Sequence, residues 1–189
     1  GNKIQASQLL PHKTIAHLNL QLPDGGVTGQ GFARTNFTSL SQFLASRNST
    51  IQSIDGINSY TKQSLISTLS GIFATVSPSE IWTQDFIDTS RVDHADHVAT
   101  GELTRRAFYD FNHTTGQYVP NLKLFSGYQL KTLPNNLSPA DAASKQSAFH
   151  DYAVHDITIC DTTGRIPCDT YNIYDLYFAK KYSRTFRAQ

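Results

Sequence analysis

The chain has 189 residues, 39% of them apolar and 11% aromatic, enough for one buried core, and no stretch of linker composition marks off a second domain. Charged residues make up only 16% and the net charge is +1, which gives no reason to expect a nucleic acid or an anionic membrane as partner. No apolar run approaches the roughly 18 residues of a membrane span.

Residues 1–13 read as a polar N-terminal arm, 14–182 as a single α+β domain and 183–189 as a C-terminal tail. Residues 14–22 alternate, with Ala16, Leu18, Leu20 and Leu22 on one face, as in a strand with one wet side. Pro23-Asp24-Gly25-Gly26 ends that strand, and the glycine-rich segment after it has no readable period. Residues 38–47 space Leu40, Phe43 and Leu44 as a short helix, and 51–57 read as a brief strand. Residues 60–73 carry Leu65, Ile66, Leu69, Ile72 and Phe73 as one helical stripe. Ser77-Pro78-Ser79-Glu80 has the form of a capping box with proline at the first helical position. It predicts a second helix bearing Ile81, Trp82, Phe86 and Ile87, with Trp82 in the core.

Residues 98–111 place Ala99, Leu103, Ala107, Tyr109 and Phe111 at one parity. Residues 118–133 do the same with Tyr118, Leu122, Leu124, Tyr128 and Leu130. The turn-like residues 112–116 between them predict a long antiparallel hairpin. Ser138-Pro139-Ala140-Asp141 caps a last helix. Residues 155–177 then read as two strands around Asp161-Thr162-Thr163-Gly164, with the chain's two cysteines, Cys160 and Cys168, on opposite arms and positioned to form a disulfide. The resulting fold class is α+β: an antiparallel sheet, curved toward a cone or barrel, packed on helices. A β-sandwich with inserted helices is the alternative.

Four Asn-x-Ser/Thr sequons, at Asn36, Asn48, Asn112 and Asn136, join the cysteine pair in pointing to the secretory pathway and N-linked glycans. A chain that has no Met and starts at Gly1 fits a processed piece.

The densest chemistry lies at Asp93-His94-Ala95-Asp96-His97, where two histidines and two aspartates supply an acid–base pair or metal ligands. On a helix His94 and His97 share a face; in a polar loop they need not meet. His150-Asp151 and His155-Asp156 are further pairs whose sequence neighbours cannot face each other on a strand, so partners must come from elsewhere. In a strand, Arg105 shares the parity of the apolar residues, and an inward guanidinium is costly unless it is paired or faces a wet cavity. That makes Arg105 and Glu102 candidate ligand anchors. Tyr171 and Tyr174, from an aromatic C-terminal run, are candidate ligand-stacking residues or core packing. No nucleophile elbow, phosphate-binding loop or His-Glu-x-x-His helix is present, and two cysteines are too few for a structural zinc site.

Two functions follow. One is a secreted, N-glycosylated binding domain, holding a protein partner or a small ligand on a concave sheet face. The other is a small cofactor-independent secreted enzyme, a hydrolase, lyase or isomerase, working through a His/Asp pair. Convergence separates them, because catalysis needs a histidine within hydrogen-bond reach of a carboxylate in a concavity. A metal site at 93–97 is a third reading.

Overall fold

The computed structural model describes residues 4–8, 15–88, 93–116, 118–119, 121–156, 159 and 172–187, grouped in two compact units, 1–124 with 184–189 and 125–183. The fold is mixed α+β, with three small sheets of two, two and three strands and five α-helices, and no sheet closes into a barrel among the described residues. The expected single curved sheet is therefore replaced by small separate sheets among the helices. None of the described helices is long and apolar enough to cross a membrane.

In unit 1, β1 (Gln5–Gln8) pairs antiparallel with β2 (Ala16–Asn19), Gln5 opposite Asn19, so part of the expected arm lies in a sheet. Helix α1 (Leu40–Leu44) begins where the Ser39 hydroxyl accepts the Gln42 N–H at 3.2 Å, and it buries Leu40 and Phe43. Strands β3 (Thr50–Gln52) and β4 (Ser59–Thr61) pair antiparallel, and their opposed residues Ile51 and Tyr60 are fully buried. Helix α2 (Lys62–Val76) opens on a reciprocal capping box between Thr61 and Ser64, as its stripe requires. It ends at Ser77, whose φ of 50° takes the left-handed conformation just before Pro78.

Several segments depart from the sequence expectation. Residues 81–84 form a strand, β5 (Ile81–Gln84), and Trp82 is 64% exposed. Ile81 is buried and Trp82 points outward, a period of two that pairing with a neighbouring strand favours over the local capping signal. Residues 98–111 lie within one twenty-residue helix, α3 (Ala95–Thr114). Ala99, Leu103, Ala107 and Phe111 recur every fourth residue, a spacing that is even and yet also follows one helix face. Buried Phe108, of opposite parity, belongs only to the helix.

The expected return strand is shorter, β6 (Asn121–Phe125), with Leu122 and Leu124 fully buried. Residues 183–187, expected as tail, form β7 (Ser183–Arg187), and the sheet order is β5-β6-β7. Arg184 fixes this strand by donating from Nε to buried Asp85 at 2.8 Å. Helix α3 serves two core clusters. Leu103 and Ala107 pack with Phe43, Ile51, Tyr60 and Leu65, while Phe108 and Phe111 pack with Ile81, Leu122 and Leu124. Each such large side chain contributes roughly 1.5–3 kcal/mol by leaving water.

Unit 2 holds a 3-10 turn (Tyr128–Thr132), α4 (Pro139–Ala153) and α5 (Asn172–Phe178). The Ser138 cap forms as read, its hydroxyl accepting the Asp141 N–H at 3.2 Å. Phe149 packs against Tyr174 and Phe178, with ring centroids 4.7 and 5.3 Å away. Residues 172–178, expected as a strand, are helical. No disulfide pair is present among the described residues; Cys160, Cys168 and the turn between them lie outside those residues.

Candidate functional site

Asp93 and His97 meet at the start of α3, the imidazole Nδ1 3.0 Å from Asp93 Oδ1. The Asp93 side chain is 1% exposed and that of His97 28%, so a buried carboxylate orients an imidazole whose edge reaches solvent. The same carboxylate oxygen accepts the His94 N–H at 2.8 Å. With Nδ1–H donated to Asp93, the lone pair of a neutral His97 falls on Nε2, the tautomer of a general base. His94 and His97 share a helix face as their spacing requires, with ring centroids 5.1 Å apart.

His94 is also the N-cap of α3, its Nδ1 accepting the Asp96 N–H at 3.2 Å. That bond places the ring proton on Nε2, which lies 3.7 Å from Asp24 Oδ1. Asp96 is tied to backbone. Its two oxygens accept the Gly25 N–H at 2.6 Å and the Ser41 N–H at 3.1 Å, joining the glycine-rich loop to the starts of α1 and α3. Only a residue without a side chain fits there, since a Cβ on Gly25 would stand 2.3 Å from Ser39 Cβ and 2.9 Å from Asp96 Oδ2. Gly29, at φ +73°, meets the same crowding from Ser41 and Ala95. Donor atoms of Asp24, His94 and Asp96 lie within 4.8 Å of one another, the separation a metal ion could bridge. In the present arrangement, however, His94 has its lone pair on the cap and Asp96 has both oxygens on backbone amides.

Asp24 also borders a groove of about 520 Å³ in unit 1. Arg34, Asn36, Gln52 and Ser53 supply hydrogen-bonding groups, and Ile54, 64% exposed, gives an apolar lip. The backbone is strained on this wall: Asn36 and its neighbour Phe37 have φ of 51° and 56°, a left-handed run uncommon without glycine. The concavity is thus made mostly by loops and turns, with Gln52 at the end of β3 as its strand residue. Sequence reading missed Asp24, Arg34 and Gln52; the available signal was the Asp-Gly-Gly turn, which reads equally well as a strand terminator.

The other expected site residues are placed differently. Arg105 lies on α3 and donates its fork to Glu102 at 2.7 and 2.6 Å, while Arg106 reaches the same carboxylate at 2.9 Å. The Arg105 guanidinium also lies over the Tyr109 and Phe86 rings, 5.5 and 5.9 Å from their centroids. Hydrogen bonds from Arg105 hold the Glu102 carboxyl below its usual range, against the opposing effect of burial. On a helix the parity argument that aimed Arg105 into a cavity does not apply. His150 sits edge-on to Phe178 at 6.0 Å, His155 and Asp151 are exposed, and Tyr152 donates to Asp156, all within unit 2. Tyr174 packs on Phe149, and Tyr171 lies outside the described residues.

Two sequon asparagines are tied to backbone. The Asn112 amide donates to the Val119 carbonyl and accepts the Val119 N–H, both at 3.0 Å. Asn136 clamps Lys181 in the same way, at 2.7 and 2.8 Å. Asn36 is exposed on the groove wall and Asn48 half-buried in a turn.

Comparison of the chain with protein-family models, with curated proteins and with solved structures finds no match.

Proposed function

We propose that the protein is a secreted, N-glycosylated binding domain whose ligand site is the groove of unit 1. The observation that carries this reading is the groove's chemistry. Its wall combines a guanidinium (Arg34), a carboxylate (Asp24) and planar amides (Asn36, Gln52), with one apolar lip, in a volume suited to a small molecule. Planar, forked groups of this kind pair two at a time with adjacent hydroxyls, so a hydroxyl-rich ligand such as a mono- or disaccharide fits best. Amide chemical shifts should move at 34–38 and 52–56 on titration with a saccharide panel, and Arg34→Ala should abolish the movement. Shifts confined to other segments, or none at all, would sink this site.

An enzyme is the second reading, favoured by the 3.0 Å Asp93–His97 pair and by Asp24, which borders the groove and lies 3.7 Å from His94. There His97 Nε2 takes or returns a proton while Asp93 holds the ring. Turnover of a model ester or glycoside that disappears in His97→Gln, with saccharide binding intact, would replace the binding reading by this one.

The secretory part of the reading rests on the sequons and cysteines. Asn36 and Asn48 are the favoured acceptors, because a glycan on Asn112 or Asn136 competes with an amide already holding backbone. Peptide mapping of protein from a eukaryotic secretory host should find glycans there first. A Cys160–Cys168 bond belongs to the same reading, and intact mass after alkylation without reductant counts the free thiols.

A further inference from the structure

Unit 2 contains a cavity of about 530 Å³ with an unusual balance of charge. Lys145, Lys180 and Lys181 line it, and Asp141 is the sole carboxylate among its lining residues. Asp141 is itself engaged, accepting the Ser138 hydroxyl at 2.7 Å. Among the described residues no carboxylate lies within ion-pair distance of any of the three ammonium groups.

The lysines are held in place by the backbone. Lys145, half-buried on α4, donates to the carbonyls of Tyr177 and Lys180, both at 2.8 Å. Lys180 is only 6% exposed and donates to the Lys131 carbonyl at 3.0 Å. An ammonium has three N–H donors, so Lys145 and Lys180 each keep at least one to spare. The Asn136 clamp fixes the Lys181 backbone, and its ammonium lies 6.0 Å from the Phe125 ring centroid. Burial first, and then the Lys181 charge, push the Lys145 ammonium below its ordinary value. Leu130, Leu137, Phe125 and Tyr182 make the remaining walls apolar and aromatic.

We propose that this cavity binds a small organic anion, a phosphate or sulfate ester on an aromatic or apolar ring. The oxyanion takes the spare N–H groups of Lys180 and Lys181, and the ring packs between Phe125, Tyr182 and the leucines. Three converging cations set the sign of the ligand, and the apolar walls distinguish an organic ester from a free inorganic anion.

The test uses the full chain, with phenyl phosphate, inorganic phosphate and phenol as probes, followed by calorimetry and amide shifts at physiological ionic strength. Phenyl phosphate should bind more tightly than inorganic phosphate, and phenol should not bind. Lys181→Gln, at an exposed position, should weaken phenyl phosphate about tenfold without changing the melting temperature, the loss of one charged contact. Asp141→Asn, which removes the opposing charge, should tighten it. Equal affinity in wild type and Lys181→Gln, shifts outside 125–145 and 177–182, or no binding at millimolar probe would each overturn the proposal. Equal binding of phosphate and phenyl phosphate would overturn the organic part of it.

Discussion

Tyr60 is wholly buried, and its hydroxyl has no hydrogen-bond partner among the described residues. A buried hydroxyl left unpaired costs roughly 1–3 kcal/mol, so Tyr60→Phe should raise stability by about 1 kcal/mol at neutral pH in urea unfolding. Desolvation, helped by Asp55, raises the Tyr60 pKa above its ordinary 10.0. The folded chain therefore keeps the phenol protonated where the unfolded chain ionises it, and stability falls as pH rises past 10; Tyr60→Phe should lose that alkaline component. Glu102 behaves in the opposite sense. Its pKa is depressed by Arg105 and Arg106, so its contribution is present above the ordinary 4.5 and is lost as pH falls through the lower folded value. Glu102→Gln should cost about 1–2 kcal/mol at pH 7 and flatten the acid limb of the stability profile. At this scale the sequence is legible where partners are near in the chain. Asp93 with His97 and Ser138 with Asp141 could be read, whereas Asp24 with His94 spans a fold that no local pattern encodes.

Helix α3 connects the residues to the fold, presenting Asp93 and His97 at its start and feeding both core clusters. It approaches β5 through Gly101, where an added Cβ would stand 2.3 Å from the Gln84 carbonyl oxygen. Gly101→Ala gains about 1 kcal/mol of helix propensity yet must push backbone aside. A net loss of about 1–3 kcal/mol is expected, read as a lower urea midpoint at unchanged slope. A stabilised variant would show that α3 and β5 can part freely. Helices α1 and α2 were legible from their apolar stripes, and α4 from its Ser-Pro cap. Helix α3 was not, since apolar residues spaced by four satisfy either period; the pairing of Glu102 with Arg105 and Arg106 was the overlooked helical sign. Strand β5 was misread because a proline-bearing cap preceded it, and sheet pairing overrode that local preference.

At the scale of the whole chain, the two compact units are not marked in the sequence, because unit 2 enters without any linker composition. The chain leaves unit 1 at β6 and rejoins it at β7, neighbouring strands of one sheet. Where it departs, the Ser126 N–H still donates to the Tyr182 carbonyl at 3.0 Å. Topologically, then, 126–182 is an ornate hairpin loop. While it is folded, its ends stay where the strands need them. When it melts, it becomes a slack tether of roughly sixty residues, and closing that tether costs unit 1 only about 2 kcal/mol more than closing a tight turn. Chain connectivity by itself therefore couples the two units only weakly, which predicts a separate cooperative transition for each. Calorimetry should resolve two steps, and brief proteolysis between them should cut within 126–182 while β6 and β7 remain paired. A single sharp transition with uniform cleavage would mean that something stronger than the tether binds them. The same weak coupling makes this loop a place where new recognition surfaces can be exchanged without rebuilding the scaffold that holds Asp93 and His97.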